Sequence, residues 1–270
     1  MKHGLWHCLI YVFMLCLGFL SVCDVVASEQ DELWEVVLAA FVDQNGLVDY
    51  AGLKRNPEHL DAYTEGLSKT GPKVTPRLFT TRADSFAFWL NAYNAFVLKG
   101  VAQTYPVGSV KEILPEFGFF KQKRFKVDGR ELTLDEIEHT ILRTQFKDPR
   151  IHAAINCAAL SCPKLRNKPF KAKYLERQLQ ESMQEMVRSS DHANLDHETR
   201  VLYLSQIFNW FQSDFTDWLR LAHGKSETTS VDYVALFMNP LQRQFVKQTP
   251  DLKIVFREYD WSLNDQNKRK

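Results

Sequence analysis

The segment from Phe86 to Leu98 is apolar on nearly every face, broken only by Asn91 and Asn94. It lies inside a helical span predicted over Arg82–Thr104, which stops ahead of Pro106. A helix that is apolar all round has no face to offer to water, so it must be buried all round. The run is shorter than the roughly 20 residues needed to cross a bilayer, which makes it a core helix. The rest of the chain must therefore cover it from every side. The composition permits this, with 45% hydrophobic and 25% charged residues among 270. A formal net charge of +1 gives no global attraction to nucleic acid or an anionic membrane, and no nucleic-acid partner is expected.

The flanking elements follow from local patterns. Leu33, Trp34, Val37, Leu38 and Phe41 recur at helical spacing, and Asn45-Gly46 closes that helix with a turn. Glu58–Ser68 is a second expected helix. Arg124–Val127, Asp128-Gly129 and Arg130–Leu134 form a two-residue hairpin signal. Thr133 and Glu136 carry a capping box that starts a helix holding Glu138 and His139. Arg150–Asn156 is expected to be a buried strand, followed by a loop with Cys157 and Cys162. Lys171–Ser189 is an amphipathic helix, and Arg200–Leu204 and Leu252–Arg257 are strands. Shorter helices fill Gln206–Gln212, Asp217–Ala222 and Val231–Phe237. These elements define an α+β class, with an antiparallel sheet on a buried central helix and further helices around it.

The first residues have a different character. Lys2 and His3 precede an almost unbroken apolar run, Cys8–Val22, and small residues at Val25, Val26 and Ala27 come before acids at Glu29, Asp31 and Glu32. This is the three-part pattern of a secretory signal over residues 1–27, with cleavage expected after Ala27. Periplasmic or secreted localisation follows, and the mature protein is expected to have no transmembrane span. Lipidation at Cys23 is an alternative, although Val22 departs from the small residue usual before a lipidated cysteine. One domain is expected over 31–264, with a polar tail at 265–270. Cleavage would leave Cys157 and Cys162 as the remaining thiols, in a compartment that permits disulfides.

Several segments together carry a family resemblance. They are Phe88–Ala95, Leu134–His139, Arg150–Cys157 continuing to Ser161-Cys162-Pro163, Phe208–Phe211 and Tyr259–Asn264. In this order they resemble domain-of-unknown-function family 547, across about Leu33 to Asn264. The resemblance implies an uncharacterised, commonly exported or lipid-anchored bacterial protein. The general look is also similar to papain-like or transglutaminase-like folds, an architectural likeness that transfers no function.

Cys157 is the sharpest candidate for chemistry. A thiolate attacks carbonyl or disulfide centres when a base lowers its pKa. His139 and His152 are the candidate bases, with Glu138 or Asn156 as orienter. On a regular strand His152 and Cys157 would face opposite sides, which favours His139. Alternatively, Cys157 and Cys162 form a disulfide. A zinc set from His139, His152, Cys157 and Cys162 has suitable ligand types but no recognised spacing, so no metal or other cofactor is expected. Asn91 and Asn94 share one face of the core helix. They either tie down loop backbone or help bind substrate, for instance by stabilising an oxyanion. Trp210, Trp218 and Trp261 are expected to pack in or beside the core. Glycine-rich nucleotide loops, His-Glu-x-x-His and Gly-x-Ser-x-Gly do not occur. Two classes remain. One is a thiol-dependent hydrolase or acyltransferase of the cell envelope. The other is a non-catalytic envelope module with a structural disulfide that binds a small molecule, peptide, glycan or partner.

Overall fold

The structure, a computed structural model, describes residues 22–224 and 227–269. The expected signal segment falls outside the described residues up to Ser21. Helix α1 (Val22–Phe41) buries Trp34, Val37 and Leu38. A turn at Gly46, with φ +78, leads to α2 (Tyr50–Arg55), whose first turn is capped by the Asp49 carboxylate accepting from the Gly52 amide. Helix α3 (Glu58–Lys69) follows. Helix α4 (Arg82–Thr104) has the bounds predicted for it, and Thr81 and Asp84 form a capping box at its start. From Phe86 to Leu98 only Phe88 is not buried. Helices α2 and α3 and the segment 136–146 pack around α4 and cover its apolar faces.

A short helix α5 (Gly118–Lys121) precedes the hairpin of β1 (Arg124–Val127) and β2 (Arg130–Thr133). Its two turn residues, Asp128 and Gly129, have φ of +50 and +68, the left-handed pair that matches the twist of an antiparallel ribbon. Phe125 of β1 stacks on Phe96 of α4 at 4.8 Å, so this hairpin is the sheet that meets the central helix.

The capping box after β2 is formed as the sequence predicts. The Thr133 amide donates to Glu136 Oε2 at 2.7 Å, and the Glu136 amide donates to Thr133 Oγ1 at 3.1 Å. Replacing Glu136 by alanine should cost about 0.5–1 kcal/mol, seen as a lower midpoint in thermal unfolding. An unchanged midpoint would contradict the reciprocal cap. The element it starts, Glu136–Phe146, is a π-helix, a wide form often found at functional sites.

The expected strand Arg150–Asn156 does not form. Pro149–Ala153 is a 3₁₀ helix instead. Asp148 caps it, its carboxylate accepting from the Arg150 amide at 3.0 Å, and the Ile151 and Ala154 amides donate to carbonyls three residues back. A short continuous apolar run is buried equally well as strand or helix, and the Asp-Pro cap decides for the helix.

The rest of the chain builds a second apolar cluster. Helix α6 (Leu175–Arg188) is followed by β3 (Ala193–Asp196) and β4 (Val201–Leu204). Then come α7 (Ile207–Trp210), α8 (Gln212–His223), α9 (Ser230–Ala235), α10 (Pro240–Gln248) and β5 (Lys253–Phe256). Strand β4 pairs antiparallel with β3 but parallel with β5, so this sheet is mixed. Met183, Leu202, Phe208, Phe215 and Tyr233 lie at the centre of the cluster. The class is α+β, as expected. The terminal segment stays attached beyond Asn264: Asp265 is 1% exposed and its carboxylate accepts from the Tyr105 hydroxyl at 2.8 Å. Among the described residues no helix is long and apolar enough to cross a membrane.

Candidate functional site

The site is built around the loop after the 3₁₀ helix. Helix α4 holds its start through Asn94, whose amide nitrogen donates to the Ala154 carbonyl at 3.0 Å and whose oxygen accepts from the Asn156 amide at 2.9 Å. The Asn156 side chain closes the loop on itself. It donates to the Pro163 carbonyl at 2.7 Å and accepts from the Ala158 amide at 2.8 Å. The C-terminal segment clamps the outside, with the Leu160 amide on the Ser262 carbonyl and the Asn264 amide on the Ala158 carbonyl. Within this frame Cys157 and Cys162 are joined as a disulfide, with Cα atoms 6.2 Å apart.

The disulfide lines a pocket of about 190 Å3, room for a ligand built on about one ring. Tyr259 stands over the bond, its hydroxyl 3.2 Å from each sulfur. Bonded sulfurs carry no proton, so the phenol is the donor. Burial, together with the nearby Glu138, raises the Tyr259 pKa and keeps it a neutral donor. Trp210 and Trp261 pack against Tyr259 with tilted rings, 4.9 and 4.6 Å between centres, and all three line the pocket.

Glu138, His139 and His152 line the same pocket. The 3₁₀ turn makes the strand-parity objection to His152 irrelevant, since His152 and Cys157 reach one cavity. Glu138 Oε2 accepts from the Tyr93 hydroxyl of α4 at 3.1 Å. Asp135, His139 and Arg143 fall four residues apart in one column. Arg143 Nη1 donates to His139 Nδ1 at 2.9 Å, while His139 Nε2 lies 3.6 Å from Asp135. The other guanidinium nitrogens of Arg143 donate to both carboxylate oxygens of Asp214, at 2.7 and 2.8 Å.

Asp214, on α8, also takes His152 Nε2 at 2.8 Å. Thus the two candidate histidines are linked through Arg143 and Asp214. Burial alone would push the Asp214 carboxyl up, but the hydrogen bonds from Arg143 and His152 outweigh it and hold Asp214 well below the usual carboxylate range. An ionised carboxylate only accepts, so His152 Nε2 carries the hydrogen of this bond and Nδ1 is the ring nitrogen left for another partner. Nδ1 is buried and has no hydrogen-bond partner among the described residues. The ring itself is stacked on Phe211 at 4.0 Å.

The remaining site candidates are placed differently. Asn91 bonds the Phe170 amide and carbonyl, at 2.9 and 2.8 Å, and lies away from this pocket. Asn94 and Asn156 hold the loop backbone and do not line the cavity. With both sulfurs in a disulfide, a zinc set drawn from the histidines and cysteines has no thiolate to offer. Asp214, Arg143, Tyr93 and Tyr259 were not among the residues the sequence singled out. Trp210 and Trp261, expected as packing, are pocket walls. The only sequence signal for Trp210, Tyr259 and Trp261 was their place in the familiar segments.

An α+β fold with a disulfide-walled, aromatic pocket describes the class. Residues 77–187 match the family described as "Protein of unknown function, DUF547", and over that span the chain resembles this family. The matched span holds α4, the π-helix, both cysteines and most of α6, but stops short of the Phe208–Phe211 and Tyr259–Asn264 segments. No curated protein and no solved structure matches the chain, so the papain-like or transglutaminase-like likeness has no solved structure behind it.

Proposed function

We propose that this protein is an exported, cell-envelope binding module that holds a small molecule in the aromatic pocket, with the Cys157–Cys162 bond as part of its wall. The observation that carries this reading is the disulfide itself. It leaves Cys157 without the thiolate that an acyl-transfer nucleophile requires. A disulfide is also at home in an oxidising compartment, in keeping with the signal pattern over residues 1–27. The second reading, a thiol-dependent hydrolase or acyltransferase, is favoured by His152, whose Nδ1 has no partner among the described residues, lining the same pocket as Cys157. It requires reduction of the bond before any turnover.

Thiol labelling of the exported chain separates the two. The binding module should give a mature N-terminus at Ser28, no label under native non-reducing conditions, and label at both cysteines after reduction. Native labelling of Cys157 that is lost in His139→Ala or His152→Ala would transfer the case to the thiol enzyme. An N-terminus at a lipidated Cys23 would change the anchoring but leave the pocket reading intact.

A further inference from the structure

We infer that the pocket selects a ligand carrying an ammonium or related N–H cation on an apolar body, with Glu138 as its counter-ion. This deepens the binding-module reading and rests on it. Three independent features ask for the same chemistry. The first is His152, 2% exposed, which lines the pocket and whose Nδ1 has no partner among the described residues. A buried ring nitrogen without a partner is unfavourable, and in the tautomer with its hydrogen on Nε2 it is an N–H group of a ligand that satisfies Nδ1. Asp214 selects that tautomer by accepting the Nε2 hydrogen.

The second feature is charge. Glu138 has Tyr93 as its one hydrogen-bonding partner among the described residues, whereas a carboxylate has about four acceptor positions. Asp135 adds a second carboxylate to the lining. Lys121 also lines the pocket, but it is exposed, so water screens its charge. The third feature is the wall of Trp210, Tyr259 and Trp261, whose ring faces attract cations. The protein already places one ammonium on this cluster: Lys111 Nζ lies 4.9 Å from the Trp261 ring centre and 5.3 Å from that of Phe117. An anionic ligand would meet the carboxylates of Asp135 and Glu138. A neutral one would leave the Glu138 charge without a counter-charge.

The test is calorimetric titration of the oxidised protein with three near-isosteric probes: phenethylammonium, 2-phenylethanol and phenylacetate. The cation should bind about tenfold tighter than the alcohol, the combined worth of a cation–π contact and a partly exposed ion pair. The acid should bind weakest. In Glu138→Gln the preference for the cation should fall below about threefold, while the thermal midpoint stays within about 2 °C of the parent, which checks that the fold is intact. Equal or tighter binding of the alcohol or the acid by the unaltered protein would overturn the ligand class and leave the binding module standing. A cation preference that survives in Glu138→Gln would overturn the counter-ion assignment. Failure of all three probes to bind the unaltered protein would overturn this inference and count against the pocket reading as well.

Discussion

Asn94→Ala should unfold at a temperature about 4–24 °C below that of the unaltered protein. The side chain is 3% exposed and satisfies two backbone groups of the site loop, the Ala154 carbonyl and the Asn156 amide. Removing it leaves both buried and unpaired, at about 1–3 kcal/mol each. For a chain of this size each kcal/mol lowers the midpoint by about 2–4 °C. The same loop holds the disulfide and the pocket wall, so the loss should be accompanied by faster reduction of Cys157–Cys162 under mild reductant. Calorimetry and a reduction time course check both. A midpoint within about 2 °C of the parent would mean that Asn94 does not hold the loop.

Acid should weaken the fold through His192 by about 3 kcal/mol between pH 7 and pH 4. His192 is 6% exposed, and its Nδ1 has no partner among the described residues. Burial lowers its pKa from 6.5 to about 4, helped by Arg257 and opposed by Asp191. Across that window the unfolded chain binds a proton that the folded chain refuses. Stability therefore rises with pH: it is complete above the unfolded value and is lost as pH falls toward the folded one. A shift of this size at 1.36 kcal/mol per pH unit sets the magnitude, about 3 kcal/mol. Other groups titrate in the same range, so the comparison is with His192→Gln. Urea unfolding of both proteins at pH 7 and pH 4 should show the variant losing about 3 kcal/mol less than the parent. Parallel losses would exclude His192 as the acid-sensitive group.

Much of the framework was legible because it is written in neighbouring residues. The two-residue turn at Asp128-Gly129 needs only left-handed backbone at adjacent positions, and the Thr133–Glu136 cap spans one helical turn. Helix α4 was legible for a related reason, since an all-round apolar surface has only one place to go. The segment 149–153 was not legible. Its buried apolar run suits a strand or a helix, and the outcome turned on a single capping carboxylate at Asp148.

The candidate site was legible by residue type but not by arrangement. Glu138, His139, His152, Cys157 and Cys162 were singled out, and all line one pocket. Their partners were hidden, because Asp214 meets His152 across 62 positions and Tyr259 meets Cys157 across 102. No local pattern encodes such a meeting.

From its residues alone the chain determines a fully buried helix, a hairpin, several capped helices and two cysteines close enough to bond. The tertiary structure decides that they do bond, that both histidines join one network through Arg143 and Asp214, and that the Trp210–Tyr259–Trp261 cluster walls the cavity. The division has a physical cause. Backbone preference and capping act over about one helical turn. The partner of a buried polar group is chosen by whichever distant segment the folded core brings to it.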